Sequence, residues 1–330
     1  MAESITSTRT KIEDRIVRYA DLAPCYDAFI DTRTPGSDRK ENFTIIGPGV
    51  SENPNQHVHI AEPHGFNIGG ARQPPHCTNS QHSHETVEVF YVHTGQWRFD
   101  LGEHGDDAQI TLAPGDLISI PTNVFRGFTN VGDTDGFLWA VLGGDDPGHV
   151  LWAPKVFDMA SEYGLVLLED GMLIDTNKDE TIPAGKRAMS ATTREQVSDL
   201  DVYSNAQLAG CVIRSGECEL PGAFQDLIGV KETELIGRSK INWAHGFTLS
   251  EIELTSDAKI PAHTSRKADV YFVQSGEVCV SIDDEETTLV AGDSITFPKH
   301  ARRSLSNETN SPARLVAVRG GDQAPEITWA

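Results

Sequence analysis

The sequence predicts an all-β protein built from two tandem copies of one antiparallel module. Three observations carry that reading. From His57 to Gly144 short apolar runs are punctuated by Gly, Pro, Asn and Asp, the texture of an antiparallel sandwich or barrel. At 330 residues the chain has the length of about two average domains. Most tellingly, its second half repeats the landmarks of the first.

His64-Gly65-Phe66 recurs as His245-Gly246-Phe247, and eighteen residues after each first histidine stands another, His82 and His263. Thirteen residues further on lie the turn glycines Gly95 and Gly276. Pro114-Gly115-Asp116 is answered by Ala291-Gly292-Asp293, Pro121 by Pro298, and Asn130 by Asn307. Residues 1–55 read as an N-terminal extension, 56–150 as the first barrel, 151–235 as a linker with helices, and 236–330 as the second barrel.

In chain order, Ile12 to Ile30 is a mixed segment followed by the turn-rich Thr34-Pro35-Gly36-Ser37 and Gly47-Pro48-Gly49. Thr94-Gly95 fits a two-residue hairpin turn, which would set Val92 opposite Trp97, Phe90 opposite Phe99 and Glu88 opposite Leu101. Leu112 to Asp116 is then a turn, and Leu117 to Pro121 the strand leaving it. Lys155 to Tyr163 has helical spacing, with Pro154 near its first turn and Gly164 placed as a C-cap.

The chemistry concentrates in Gln81 to Gly95. If this stretch is one strand, His82, His84, Glu88, Phe90 and Val92 share a face while Val87, Val89 and Tyr91 fill the other. Two imidazoles and a carboxylate suit iron, manganese, nickel, copper or zinc, and leave open positions as in non-haem iron oxygenases. A polar face at a barrel mouth is the bland alternative. Other histidines are weaker candidates: His76 sits in a Pro-rich loop, His93 is out of register, His64 and His245 recur together as in a structural role, and His57 and His59 lack a third partner.

Charge narrows the partners. Lys and Arg number 27 against 49 Asp and Glu, a formal charge of −22, which argues against nucleic acid or an anionic membrane. Cys25, Cys77, Cys211, Cys218 and Cys279 are scattered without paired metal spacing and read as reduced thiols. Met1 to Asp14 lacks an apolar signal-type region. These features lead us to expect a soluble cytoplasmic protein.

At His82, His84, Glu88 and Gly95 the chain matches in full the first motif of the cupin superfamily, His-x-His, three residues, Glu, six residues, Gly. The glycine that usually precedes this motif is replaced by His76. The second motif is partly kept: Gly115, Pro121 and Asn130 match, while Asn123 replaces a glycine and Arg126 the histidine. The chain therefore resembles a bicupin, which implies two jelly-roll barrels, each a double-stranded β-helix, and an association into homodimers.

The resemblance implies a divalent metal on His82, His84 and Glu88, Fe(II) foremost, with Mn, Ni, Cu or Zn as alternatives. Arginine cannot ligate a cation, since it stays protonated and offers no lone pair. Arg126 then either clamps an anionic substrate beside the metal or pairs with Glu88 in its place. The second barrel carries His263, Ser265, Asp269 and Arg303 at the equivalent positions, and an Asp269–Arg303 pair is expected there.

Quercetinase-like and gentisate-like cupins suggest a dioxygenase acting on a small anionic or aromatic molecule. In that reading Arg126 and Glu88 are catalytic, and Phe90, Trp97 and Phe99 wall the substrate site together with Arg126. A metal-dependent lyase, isomerase or hydrolase, and a metal-free binding protein, remain open alternatives.

Overall fold

Glu41–Ile46, Phe66–Gln73, Glu88–Thr94 and Gly136–Gly143 are short runs of apolar and β-branched residues that pair side by side in one sheet. This computed structural model describes residues 11–241, 243–323 and 326–330. The chain divides into two compact units: Leu22–Glu219 with Ile236–Phe247, and residues up to Asp21 with Leu220–Leu235 and Thr248–Ala330.

The first unit holds a jelly-roll barrel of two sheets. A seven-stranded sheet runs Val212–Ile213, Leu117–Ile120, Glu88–Thr94, Gly136–Gly143, Phe66–Gln73, Glu41–Ile46, Val58–Ile60. The five-stranded sheet runs Val150–Trp152, Thr78–His84, Arg126–Asn130, Trp97–Leu101, Ala108–Leu112. Their inner faces enclose Phe90, Val92, Trp97, Phe99, Leu112, Ile118, Phe128 and Leu138. Phe90, Phe99 and Phe128 pack with ring centroids 5.1–5.6 Å apart, each buried side chain contributing about 1.5–3 kcal/mol of hydrophobic stabilisation.

Gly95 does not close a hairpin. Glu88–Thr94 pairs with Leu117–Ile120 and Gly136–Gly143, whereas Trp97–Leu101 pairs with Arg126–Asn130 and Ala108–Leu112. The expected partners of Val92, Phe90 and Glu88 are therefore replaced by strands of their own sheet. At Gly95 (φ 84°) the chain crosses from one sheet to the other, and a Cβ there would come within 2.7 Å of the Gly136 Cα. A local turn signature does not distinguish folding back from crossing over.

Glu41–Ile46, within the stretch read as an extension, is a full member of the first barrel, antiparallel to Phe66–Gln73. Its apolar run Phe43-Thr44-Ile45-Ile46 is buried, and short flanking turns hid it. The helix Pro154–Glu162 has Pro in its first turn, turns Val156 and Ala160 inward, and is followed by Gly164 at φ 76°. Two shorter helices, Arg194–Ser198 and Asn205–Gly210, open with capping boxes, Thr193 with Gln196 and Ser204 with Gln207.

The second unit repeats the plan. Its six-stranded sheet runs Ile16–Val17, Ser294–Phe297, Asp269–Ser275, Ala313–Gly320, Phe247–Leu254, Val230–Ile236. Its five-stranded sheet runs Glu285–Val290, Glu277–Ile282, Arg303–Ser306, Lys259–Ser265, Ile327–Trp329. The repeated asparagines do the same work in both barrels. Asn130 Nδ2 donates to the carbonyls of Gln73 and Thr134, both at 2.8 Å; Asn307 Nδ2 donates to those of Leu254 and Ser311 at 3.0 and 2.8 Å.

Each barrel is also closed by a short clip. Val212–Ile213 pairs with Leu117 and Ile118, after which Arg214 Nη1 meets Asp116 Oδ2 at 2.7 Å and the Ser215 amide meets Oδ1 at 2.9 Å. Ile16–Val17 pairs with Ser294 and Ile295, after which Arg18 Nη1 meets Asp293 Oδ2 and the Tyr19 amide meets Oδ1, both at 2.9 Å. The turn aspartates of the repeat thus serve as anchors for a strand-Arg clip.

Candidate metal centre

His82 and His84 project from Thr78–His84 in the five-stranded sheet of the first barrel, and Glu88 opens Glu88–Thr94 in the other sheet. They are not on one strand, as the period-two reading had it. The chain turns at Glu85–Val87 and brings the glutamate back across the barrel end. The outcome for the ligands is nonetheless convergent: one donor atom from each of the three lies within 4.8 Å of the others, and all three residues are buried.

The two imidazoles are neutral. Burial, then the Arg126 charge, pushes His82 down to about 3; the same causes, joined by His82, hold His84 well below the usual histidine range. His82 Nδ1 lies 2.7 Å from the Ser80 carbonyl, so it carries the proton and leaves the Nε2 lone pair available. His84 Nδ1 is buried with no hydrogen-bond partner, and His84 Nε2 lies 3.5 Å from Glu88 Oε2. Two neutral imidazoles and a carboxylate form a donor set that fits a divalent transition metal.

Arg126 faces Glu88 rather than the cavity. Its Nη2 donates to Glu88 Oε2 at 2.8 Å, Nη1 reaches the Val124 carbonyl at 3.5 Å, and Nε has no partner. Arg126 is fully buried, and burial holds the Glu88 carboxyl above the ordinary carboxylate range despite the guanidinium beside it. Only one carboxylate oxygen is engaged by Arg126. In the second barrel Arg303 Nη1 donates to Asp269 Oδ2 at 2.7 Å, the pair expected from the sequence. The register agrees as well, with Arg126 across from His82 and Arg303 across from His263.

The ligand residues border a cavity of about 70 Å³, shared with Phe29, Phe43, Asn79, Phe90 and Phe128. Of the expected walls only Phe90 lines it. Trp97 and Phe99 are wholly buried in the core below, and Arg126, bonded to Glu88, is not part of the lining. The remaining histidines stay apart: His76 is exposed at φ 62°, His93 packs on Phe137, His64 Nδ1 contacts the Glu62 carbonyl at 2.6 Å, and His245 Nε2 contacts Ser119 Oγ at 2.7 Å. His57 and His59 stack edge to face at 4.4 Å between centroids.

Behind His82 lies a polar shell that sequence reasoning missed. Lys40 is buried, with Nζ bonded to Asp31 Oδ1 and at 2.8 Å from Asn79 Oδ1, while the Ser80 amide donates to Asp31 Oδ2 at 2.9 Å. The Trp152 ring, 5.2 Å from that of His82, donates Nε1–H to Glu52 Oε1 at 2.6 Å. Burial pushes Glu52 up to about 8. Nothing in the local sequence signals these residues, because a buried lysine in Asp38-Arg39-Lys40 looks like any solvated charge run.

The cupin domain family matches residues 71–142 and 250–319, one region in each barrel. The chain is a bicupin. Solved structures of the same fold include oxalate decarboxylase from Bacillus subtilis, at 12% identity over 96% of this chain and 78% of that one, TM-score 0.58. A second is the Lactobacillus farciminis oxalate decarboxylase formate complex, at 10% identity over 94% and 86%, TM-score 0.58. Vicilin from Capsicum annuum matches at 11% identity over 96% and 88%, TM-score 0.61. No curated protein matches the sequence. At such identities the likeness speaks for the bicupin fold, which hosts both enzymes and storage proteins. Among the described residues no helix is long and apolar enough to cross a membrane.

Proposed function

We propose that the first barrel of this bicupin is a mononuclear metal site, with His82, His84 and Glu88 as ligands, acting on a small oxygenated molecule. The observation that carries the reading is the convergence of three buried donors, both histidines neutral, at one end of a cavity. The ion, when bound, supplies Lewis acidity and, if it is Fe(II), a site for oxygen. The chain's own residues do the rest. The Ser80 carbonyl holds His82 in place, Arg126 holds Glu88 through a single hydrogen bond, and Phe29, Phe43, Phe90 and Phe128 exclude water.

A cavity of about 70 Å³ suits a substrate of a few heavy atoms, such as a short carboxylate or carbonyl compound, and is too small for a polycyclic aromatic. Within that class we favour oxygen-dependent cleavage, on the strength of the two-histidine, one-carboxylate donor set and the aromatic lining. The decisive experiment is elemental analysis of protein purified with Fe(II) or Mn(II), followed by oxygen uptake with a panel of short oxo- and hydroxy-acids. About one metal per chain in the wild type, lost in His84→Ala, supports the site; equal metal in both overturns it. Turnover without oxygen uptake moves the reaction to the lyase class.

A second reading is favoured by the Glu88–Arg126 pair and its counterpart Asp269–Arg303. There the guanidinium balances the carboxylate permanently and the barrel is a metal-free binding module. It predicts no metal above background in any preparation.

A further inference from the structure

The second barrel departs from the first at the same structural positions that would hold the metal. Glu88 pairs across the sheet with Leu142, and Asp269, its counterpart, pairs with Arg319. Where the first barrel has His84 and Leu142, the second therefore has Ser265 and a buried arginine. A fixed guanidinium stands at the mouth of this barrel.

Arg319 is 2% exposed. Nη1 meets Glu232 Oε1 at 2.5 Å and Ser250 Oγ at 3.5 Å, Nη2 meets Tyr271 Oη at 3.4 Å, and Nε has no partner. It lines a cavity of about 290 Å³ together with Ser265, Arg266, Lys267, Gln323 and Glu326. The Glu326 carboxylate is paired with Arg266 at 3.0 Å. Lys267 forms no ion pair among the described residues, and its ammonium lies 2.0 Å from where a Gly321 Cβ would stand, folded over that turn. In a chain of formal charge −22, a cavity holding an unpaired ammonium, an unpartnered guanidinium N–H, a hydroxyl and a carboxamide is a pointed exception.

We propose that this cavity is a binding site for a small oxyanion, a dicarboxylate or a phosphate. Lys267 supplies the uncompensated charge and Gln323 a neutral hydrogen bond, beside the buried Arg319 guanidinium and Ser265, whose Oγ accepts from the Lys267 amide at 3.2 Å and donates to Asp269 Oδ1 at 3.5 Å. The site goes beyond the metal reading of the first barrel and does not depend on it.

Isothermal titration of the full chain at low salt, once with inorganic phosphate and once with malonate, tests the proposal and separates the two sources. One saturable site is expected, with the tighter arm naming the ligand class. Lys267→Ser alters an exposed side chain and leaves the buried Arg319–Glu232 pair intact. It should weaken binding about tenfold or more, the scale of one charge-assisted hydrogen bond. Ser265→Ala should weaken it less, and His84→Ala, in the other barrel, should leave it unchanged. Absence of saturable binding in both arms, wild-type binding by Lys267→Ser, or loss of binding in His84→Ala each overturns the assignment.

Discussion

Replacing Arg126 by methionine tests the electrostatics of the first barrel directly. Arg126 is fully buried, Glu88 is 5% exposed, and a single 2.8 Å bond joins them. Removing the guanidinium strands a desolvated carboxylate, a loss of about 3–5 kcal/mol when one partner of a buried pair is deleted. For a unit of this size that corresponds to a fall of about 6–20 °C in its melting transition. The same substitution releases Glu88 Oε2 and removes a positive charge from beside the ligands, so a divalent ion should now bind more tightly. Calorimetry of metal-depleted wild type and Arg126→Met at pH 7.5, each with and without Mn(II), reads both effects. The variant should melt lower when depleted and regain more on adding metal, about 2.7 kcal/mol at a hundredfold excess over Kd. An unchanged transition, or equal metal stabilisation in the two proteins, would refute the claim that Arg126 exists to balance Glu88.

Other outcomes follow from features of the same unit and its repeat. Glu52→Gln should flatten the pH dependence of stability. The wild-type carboxyl keeps its proton to about pH 8 in the folded state, while the unfolded one loses it near pH 4–5. Wild-type stability should therefore be full below that range and decline as pH rises toward 8, and parallel denaturation curves for the two proteins would count against the assignment. Lys40→Met should destabilise the fold by about 3–5 kcal/mol, since it strands buried Asp31; Lys40→Met/Asp31→Leu should recover most of that loss in a urea titration. Asn130→Ala and Asn307→Ala should each cost about 1–3 kcal/mol by leaving two backbone carbonyls short of a donor. Because the two asparagines lie in separate units, the double variant should show the sum of the single losses within about 0.5 kcal/mol.

How far the sequence alone reaches depends on whether a property is local. The repeat landmarks mark equivalent turns and strand ends, so the tandem barrels and the His82, His84, Glu88 cluster were legible. The Asp269–Arg303 pair was legible too, because an acid and an arginine replaced two ligand positions together. Sheet membership was not: Thr94-Gly95 looks the same whether the chain folds back or crosses over, and only the pairing of Trp97 with Asn130 and Leu112 decides it. The direction of Arg126 rests on which neighbour accepts its hydrogen bond, and that neighbour is 38 residues away. Lys40, Asp31 and Glu52 are ordinary charged residues by sequence, and burial alone makes them a shell. Arg319 escaped notice because it lies beyond both motifs, although alignment with Leu142 across the repeat marks an arginine where the first barrel is apolar.

The two clips impose an order on synthesis. Val212–Ile213 and Arg214 leave the ribosome shortly after the barrel they close, so the first barrel can shut while the rest of the chain is still being made. Ile16–Val17 and Arg18 precede their partners by a long stretch of chain, 275 residues between Arg18 and Asp293. This clip must therefore wait, unpaired, while the residues between are made, and its docking is the long-range step that completes the second barrel. Removing residues up to Asp21 should accordingly spare the first folding unit and leave the second with an open sheet edge, a surface on which a stray strand of another chain can add.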